Sequence, residues 1–134
     1  MTSFKINKFK FSKMSRPFVV AEISSNHQNN LNDVFKLIRE IKKSGADAVK
    51  IQTYTEDTMT INSRKKDFKI TKGLWKNYTL YDLYSKAKTP MEWHKKIFDY
   101  AKKINLTCFS TPFDESAVDF LEKLNTPAYK IASF

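Results

Sequence analysis

Ala46-Asp-Ala-Val-Lys-Ile-Gln52 is the stretch whose reading decides the fold. Apolar and β-branched residues run through it, so it reads as a buried strand. Lys50 and Gln52 interrupt the apolar run, and the alternation of strand side chains puts both on one face. Gly45 precedes the strand at the position of a helix C-terminal glycine. Before it, Leu31, Val34, Phe35, Ile38 and Ile41 recur at helical spacing and predict a helix to about Lys43. Further upstream, Phe18-Val-Val-Ala-Glu-Ile23 reads as another buried strand, followed by a polar loop over residues 24–30. Strand, helix, strand is the βαβ rhythm of a parallel sheet.

The rhythm returns near the other end of the chain. Thr89-Pro-Met-Glu92 predicts a helix start, with Thr89 as N-cap, Pro90 in the first position and Glu92 closing a capping box. Trp93, Ile97, Phe98 and Ala101 form the apolar stripe of that helix. Leu106-Thr-Cys-Phe-Ser110 predicts a third strand. Asp114 caps a further helix that buries Ala117, Val118, Phe120, Leu121 and Leu124. Pro127 ends the connection, and Ala128-Tyr-Lys-Ile-Ala132 predicts a fourth strand. The expected class is therefore α/β, with about four parallel strands and about three helices. Residues 1–17 read as a basic leading segment and residues 18–134 as one domain. Residues 53–88 form a long polar, aromatic-bearing insertion after the second strand, and loops of that length carry function or are disordered.

Composition narrows the function classes. The 134 residues are 41% hydrophobic and 28% charged, a globular balance. Only two glycines are present, Gly45 and Gly73, which argues against glycine-rich phosphate loops. One cysteine, Cys108, makes no internal disulfide, and with two histidines it makes no structural zinc site. This usage fits a reducing compartment and a cytoplasmic location. The first residues carry scattered charges and no apolar run, unlike a signal peptide. No segment reaches the roughly 18 apolar residues of a membrane span. The net charge is +10. Lys5, Lys8, Lys10, Lys13 and Arg16 form one basic stretch; Arg64, Lys65, Lys66, Lys69, Lys72 and Lys76 form another. Clusters of this kind suit nucleic acid or an acidic membrane, yet without a recognition motif the solvated-surface reading is preferred, with no nucleic-acid and no membrane partner.

Polar residues gather where the strands end. The first strand carries Glu22 and leads to Asn26 and His27; the second carries Lys50 and Gln52. The third ends in Ser110 and Thr111; the fourth carries Lys130 and leads to Ser133. In parallel α/β folds, ligands bind at the carboxyl ends of the strands. Lysines, hydroxyls and amides meeting there suit a phosphate or carboxylate anion. The bland alternative is a buried network in which Lys50 and Lys130 pair with Glu22 or Asp47. His27 alone could be a solvated loop residue, and Gln52, Ser110 and Ser133 could be local caps.

At these same positions the chain resembles the sialic acid synthases. Ala21-Glu-Ile-Ser-Ser-Asn-His27, Gly45-Ala-Asp-Ala-Val-Lys-Ile-Gln-Thr53, Phe109-Ser-Thr-Pro-Phe-Asp114 and Ala128-Tyr-Lys-Ile-Ala-Ser133 are similar to four blocks of that family, in its order. Gly73-Leu-Trp75 and Thr79-Leu-Tyr-Asp-Leu-Tyr84 resemble its pseudaminic branch rather than its neuraminic one. The resemblance implies the N-terminal half of a TIM-type (β/α)8 barrel. It also implies condensation of phosphoenolpyruvate with an acetamido sugar, a 2,4-diacetamido-2,4,6-trideoxy hexose in the pseudaminic branch. On this resemblance Lys50, Thr111, Lys130 and Ser133 would hold phosphoenolpyruvate. Gln52, Asn26 and His27 would face the sugar, and Glu22 would act as acid, base or water positioner. Trp75, Tyr81 and Tyr84 would either pack against the sugar or fold the insertion onto the barrel. The family implies a divalent metal, Mn²⁺ or Mg²⁺, whose histidine ligands lie beyond the segments matched here, and a homodimer. Competing readings are the neuraminic substrate, a non-catalytic remnant and a basic binding module.

Overall fold

The computed structural model describes residues 4–132. Strand β1 (Phe4–Ile6) and strand β2 (Phe9–Phe11) form an antiparallel hairpin. Sequence reading gives this basic segment no element. Phe4, Ile6, Phe9 and Phe11 nevertheless alternate with Lys5 and Lys10, the period of a strand. Asn7 takes the left-handed backbone conformation (φ 50) that the tight connection needs. The Phe4 and Phe11 rings stack at 4.2 Å, and Phe9 meets Phe18 edge-on at 4.9 Å. Two contacts tie the hairpin and its exit to the sheet. Asn7 Nδ2 donates to Thr107 Oγ1 at 3.2 Å, and the Arg16 guanidinium grips Asp47 through bonds of 2.7 and 2.5 Å. That guanidinium and the Val19 N–H hold the Asp47 carboxyl down at about 2.

The chain then alternates. Strand β3 (Val20–Glu22), helix α1 (Leu31–Lys43) and strand β4 (Ala48–Thr53) follow in order. Helix α1 begins where expected because the Asn30 side chain accepts from Asn32 N–H, and Gly45 (φ 82) lets the chain leave it. Helices α2 (Glu56–Met59) and α3 (Leu80–Ala87) lie in the insertion, each with a capping box, from Thr55 and Thr58 and from Thr79 and Asp82. Helix α4 (Met91–Lys103), strand β5 (Thr107–Pro112) and helix α5 (Glu115–Lys123) complete the described elements. Among the described residues five α-helices thus replace the three expected, and both additions lie in the insertion. Helix α4 also departs from expectation at its start. Pro90 is extended (φ −53, ψ 135) and serves as N-cap, no side chain caps the helix, and Thr89 is buried instead.

Strands β3, β4 and β5 form one parallel sheet in that order. Alternation sends Val49, Ile51 and Cys108 to one face, where they meet Val34 and Ile38 of α1 and Ile97 and Ala101 of α4. Val34, Ile38, Ile51 and Ile97 are fully buried, and each such side chain stabilises the fold by roughly 1.5–3 kcal/mol. Asp114 caps α5 by accepting from Ala117 N–H, as its position in the sequence predicts; Ala117 and Leu121 are buried, whereas Val118 is exposed.

The fourth strand expected over residues 128–132 contracts to one parallel bridge between Ser110 and Tyr129, with Lys130 N–H donating to Ser110 O at 3.1 Å. An outer strand holds its register through one neighbour and through the side chains it buries. Here Lys130 and Ile131 are both exposed, so nothing extends the ladder. The parallel α/β sheet is therefore seen directly, with three full strands. Among the described residues no helix is long and apolar enough to cross a membrane.

Candidate active site

The face of the sheet opposite the apolar core carries the polar residues. Pairing places Glu22 beside Lys50, and Gln52 beside Thr111. Because paired residues share a face, these four side chains project together at the carboxyl ends of the strands. They form a continuous string. Ser24 Oγ–H donates to Gln52 Oε1 at 3.0 Å, and Gln52 Nε2–H donates to Glu22 Oε1 at 3.2 Å. The other Glu22 oxygen meets Lys50 Nζ at 2.6 Å, and Lys50 Nζ reaches Thr111 Oγ1 at 3.4 Å.

Exposure grades along this string. The Lys50 side chain is 12% exposed and the Glu22 side chain 42%. The ammonium is thus mostly withdrawn from water and needs a negative partner. Its carboxylate partner stands toward solvent. An incoming anion can reach Lys50 and Thr111 by displacing Glu22, which then remains within the same site as a free carboxylate. The pairing foreseen as the bland alternative, Lys50 with Glu22, is present; Asp47 is taken by Arg16, and Lys130 is exposed.

Other expected site residues lie elsewhere. Asn26 is exposed and accepts from Ser24 N–H at 3.0 Å, shaping the loop that carries Ser24. His27 does not face the string. It ends the 3-10 turn Ser25–His27, is fully buried, accepts from Asn29 N–H through Nδ1 at 3.1 Å, and meets the Trp93 ring edge-on at 5.6 Å. An apolar ring edge on α4 and a hydrogen bond to its own loop draw it inward, so it props the loop from beneath. Burial holds its imidazole below the ordinary range, against a pull from the Ala87 backbone. Lys130 is exposed, and its backbone joins Ser110, next to Thr111. Ser133 lies outside the described residues.

The insertion aromatics fold the insertion itself. Tyr84 meets Tyr54 edge-on at 5.9 Å, Tyr81 Oη–H donates to Asp57 at 2.9 Å, and Trp75 packs on Tyr78 at 5.5 Å. Glu56 and Lys88, paired at 2.5 Å, close its base. A separate cavity of about 1150 Å³ opens at the amino ends of the strands, beside Phe9, Phe18 and Phe98, away from the polar string. Ligand chemistry in parallel sheets belongs instead to the carboxyl ends.

Two residues missed by sequence reading matter here. Ser24 follows Glu22 by two positions, so alternation could have placed it with Glu22. His94 is fully buried on α4 and bonds Thr53 Oγ1 at 2.9 Å. Among the described residues no group of three or more His, Cys, Asp or Glu side chains converges as metal ligands. Both histidines are buried in the protein's own packing. These residues do not fit a metal by themselves.

Comparisons with known proteins bear on the family and the fold. Residues 37–134 match the model of the NeuB family. The chain is 50% identical over 124 residues to the pseudaminic acid synthase of Campylobacter jejuni subsp. jejuni serotype O:2, covering 92% of this chain and 36% of that protein. It is 51% identical over 118 residues to the pseudaminic acid synthase of Helicobacter pylori, covering 88% of this chain and 35% of that protein. The fold matches the crystal structure of the N-acetylneuraminic acid (sialic acid) synthetase of Leptospira borgpetersenii serovar Hardjo-bovis. There the TM-score is 0.78 at 22% identity, over 97% of this chain and 41% of that one. The chain thus spans little more than a third of the length of the two curated synthases.

Proposed function

The chain belongs to the NeuB family, and on that premise we propose that its strand-end string is the phosphoenolpyruvate side of a nonulosonic acid synthase site. The observation that carries this reading is Lys50, mostly buried, held 2.6 Å from Glu22 and 3.4 Å from Thr111 at neighbouring strand ends. The acceptor is a 2,4-diacetamido-2,4,6-trideoxy hexose, a choice supported by the roughly 50% identity to two pseudaminic acid synthases. The barrel reading is part of the same proposal: the described sheet supplies its first strands, and the Tyr129 bridge marks the next.

In this reaction C3 of phosphoenolpyruvate bonds to the sugar aldehyde carbon. Water adds its oxygen to C2, the C2–O bond to phosphorus breaks, and inorganic phosphate leaves. Lys50 and the Thr111 hydroxyl hold the anionic donor, with Lys130 in the following segment, whose backbone bonds Ser110 beside Thr111. Withdrawal of Lys50 from water strengthens its hold on that charge. Glu22, released from Lys50 as the donor enters, moves a proton from the attacking water or to the developing alkoxide. Gln52, its amide oriented by Ser24 and Glu22, presents a hydrogen-bonding edge to the acetamido sugar, with Asn26 at the loop. A divalent metal belongs to the family resemblance. The described residues offer it no ligand set.

The test is titration calorimetry with phosphoenolpyruvate on the protein expressed from its own gene. Lys50→Ala should weaken binding by at least about 2 kcal/mol, the scale for losing one member of a desolvated charge pair. Parental affinity in a folded Lys50→Ala protein would remove Lys50 from the donor site.

A further inference from the structure

Behind the polar string, on the core side of the same strands, lies a second polar chain that the proposed reaction does not use. His94 Nδ1 meets Pro90 O at 3.1 Å, and His94 Nε2 meets Thr53 Oγ1 at 2.9 Å. Thr53 Oγ1 meets Ser110 Oγ at 2.6 Å, and Ser110 Oγ meets Ile51 O at 3.0 Å. His94, Thr53 and Ser110 are all fully buried, among Ile51, Ile97 and other apolar residues. Apolar side chains of similar volume would fill this space without any need for hydrogen bonds. A polar chain here specifies geometry that a greasy contact leaves loose.

What it fixes follows from adjacency. Thr53 is the residue after Gln52, and Ser110 the residue before Thr111. Each pair points to opposite faces of the sheet, so the buried chain clamps the backbone that carries both ligand-facing residues. It crosses between β4 and β5 and ties both to α4 through His94, which that helix carries. Its direction is set from the Ser110 end: the Ser110 hydroxyl donates to Ile51 O, so Thr53 O–H donates to Ser110 Oγ and His94 Nε2–H donates to Thr53 Oγ1.

We propose that His94 is a positioning residue: through Thr53 and Ser110 it sets the relative height of the β4 and β5 ends, and so the spacing of Gln52 and Thr111. This rests on the proposed synthase site, and it also makes a claim about backbone position that needs no turnover.

The test uses four single variants and one double variant of the protein expressed from its own gene. Gln can place an amide where Nε2 lies, whereas Asn places one where Nδ1 lies. His94→Leu should raise the KM for phosphoenolpyruvate about tenfold, and His94→Gln should restore it to within about threefold, while His94→Asn should not. Thr53→Val keeps the shape and removes the hydroxyl; it should reproduce the Leu effect, and combined with His94→Leu it should add little. In parallel, backbone amide resonances of Gln52 and Thr111 should shift in His94→Leu and return in His94→Gln. Parental KM and unmoved amides in a folded Leu variant overturn the proposal, as does rescue by Asn in place of Gln, or full multiplication of the two defects. If the parent shows no turnover, the synthase reading fails; the amide shifts alone then decide whether His94 positions the two strand ends.

Discussion

At the scale of single residues, Glu22 is the carboxylate on which the proposed chemistry turns. It is half exposed and already bonded to two site partners, Lys50 and Gln52. Glu22→Gln keeps the shape and removes the charge. Turnover should fall by about 10²-fold or more, the usual scale for an acid–base group, with thermal unfolding little changed. Turnover within a few-fold of the parent would make Glu22 only the resting counter-ion of Lys50. Strand alternation puts Lys50 and Gln52 on one face, and Glu22 and Thr111 read as polar residues at neighbouring strand ends. Ser24 was legible by the same rule and was read as loop. His94 was not legible. Its partners Thr53 and Ser110 stand on separate strands, and a histidine within an apolar stripe carries no sign of which strand it will meet. His27 reads as a loop residue, yet an aromatic neighbour on α4 draws it inward.

At the scale of elements, α1, β4 and β5 follow from the pattern of apolar residues, whereas the short β3 leaves Val20 exposed. The hairpin was hidden because Lys5, Lys8 and Lys10 read as a charge run while the phenylalanines between them kept strand period. The insertion helices were hidden by their shortness, although both capping boxes stand in the sequence at Thr55 and Thr79. The buried histidines give these elements a pH signature. Burial lowers the pKa of both His27 and His94; for His94 the Pro90, Gln52 and Met91 backbone and the Glu92 charge pull the other way without winning. A folded pKa below the unfolded value, near 6.5, means the unfolded chain binds more protons as pH falls through that value. Stability is therefore full above about pH 6.5 and declines below it. Asp47, held at about 2, acts only in far more acid solution. The urea midpoint should drop between pH 7.5 and 5.5, and the drop should be smaller in His94→Gln. A level or rising midpoint in the parent would mean that the imidazoles are not held neutral.

At the scale of the whole molecule, the described sheet has a polar face toward ligand and an apolar face toward α1 and α4, with the hairpin tied to its amino end. That division places all of the proposed chemistry at one end and leaves the insertion as a braced wall beside it. Tyr81 and Tyr84 serve that bracing, bonded to Asp57 and packed on Tyr54. The fold class was legible from the βα rhythm, whereas the fourth strand was not, because a five-residue pattern says nothing about the neighbours that hold a ladder. The central claim is a phosphoenolpyruvate-dependent condensation with a trideoxy diacetamido sugar. Its most direct measurement is phosphate release by the protein expressed from its own gene, given phosphoenolpyruvate, Mn²⁺ and one sugar at a time. The account predicts release with 2,4-diacetamido-2,4,6-trideoxy-altrose and little with N-acetylmannosamine; preference for N-acetylmannosamine, or release that ignores the sugar, would contradict it.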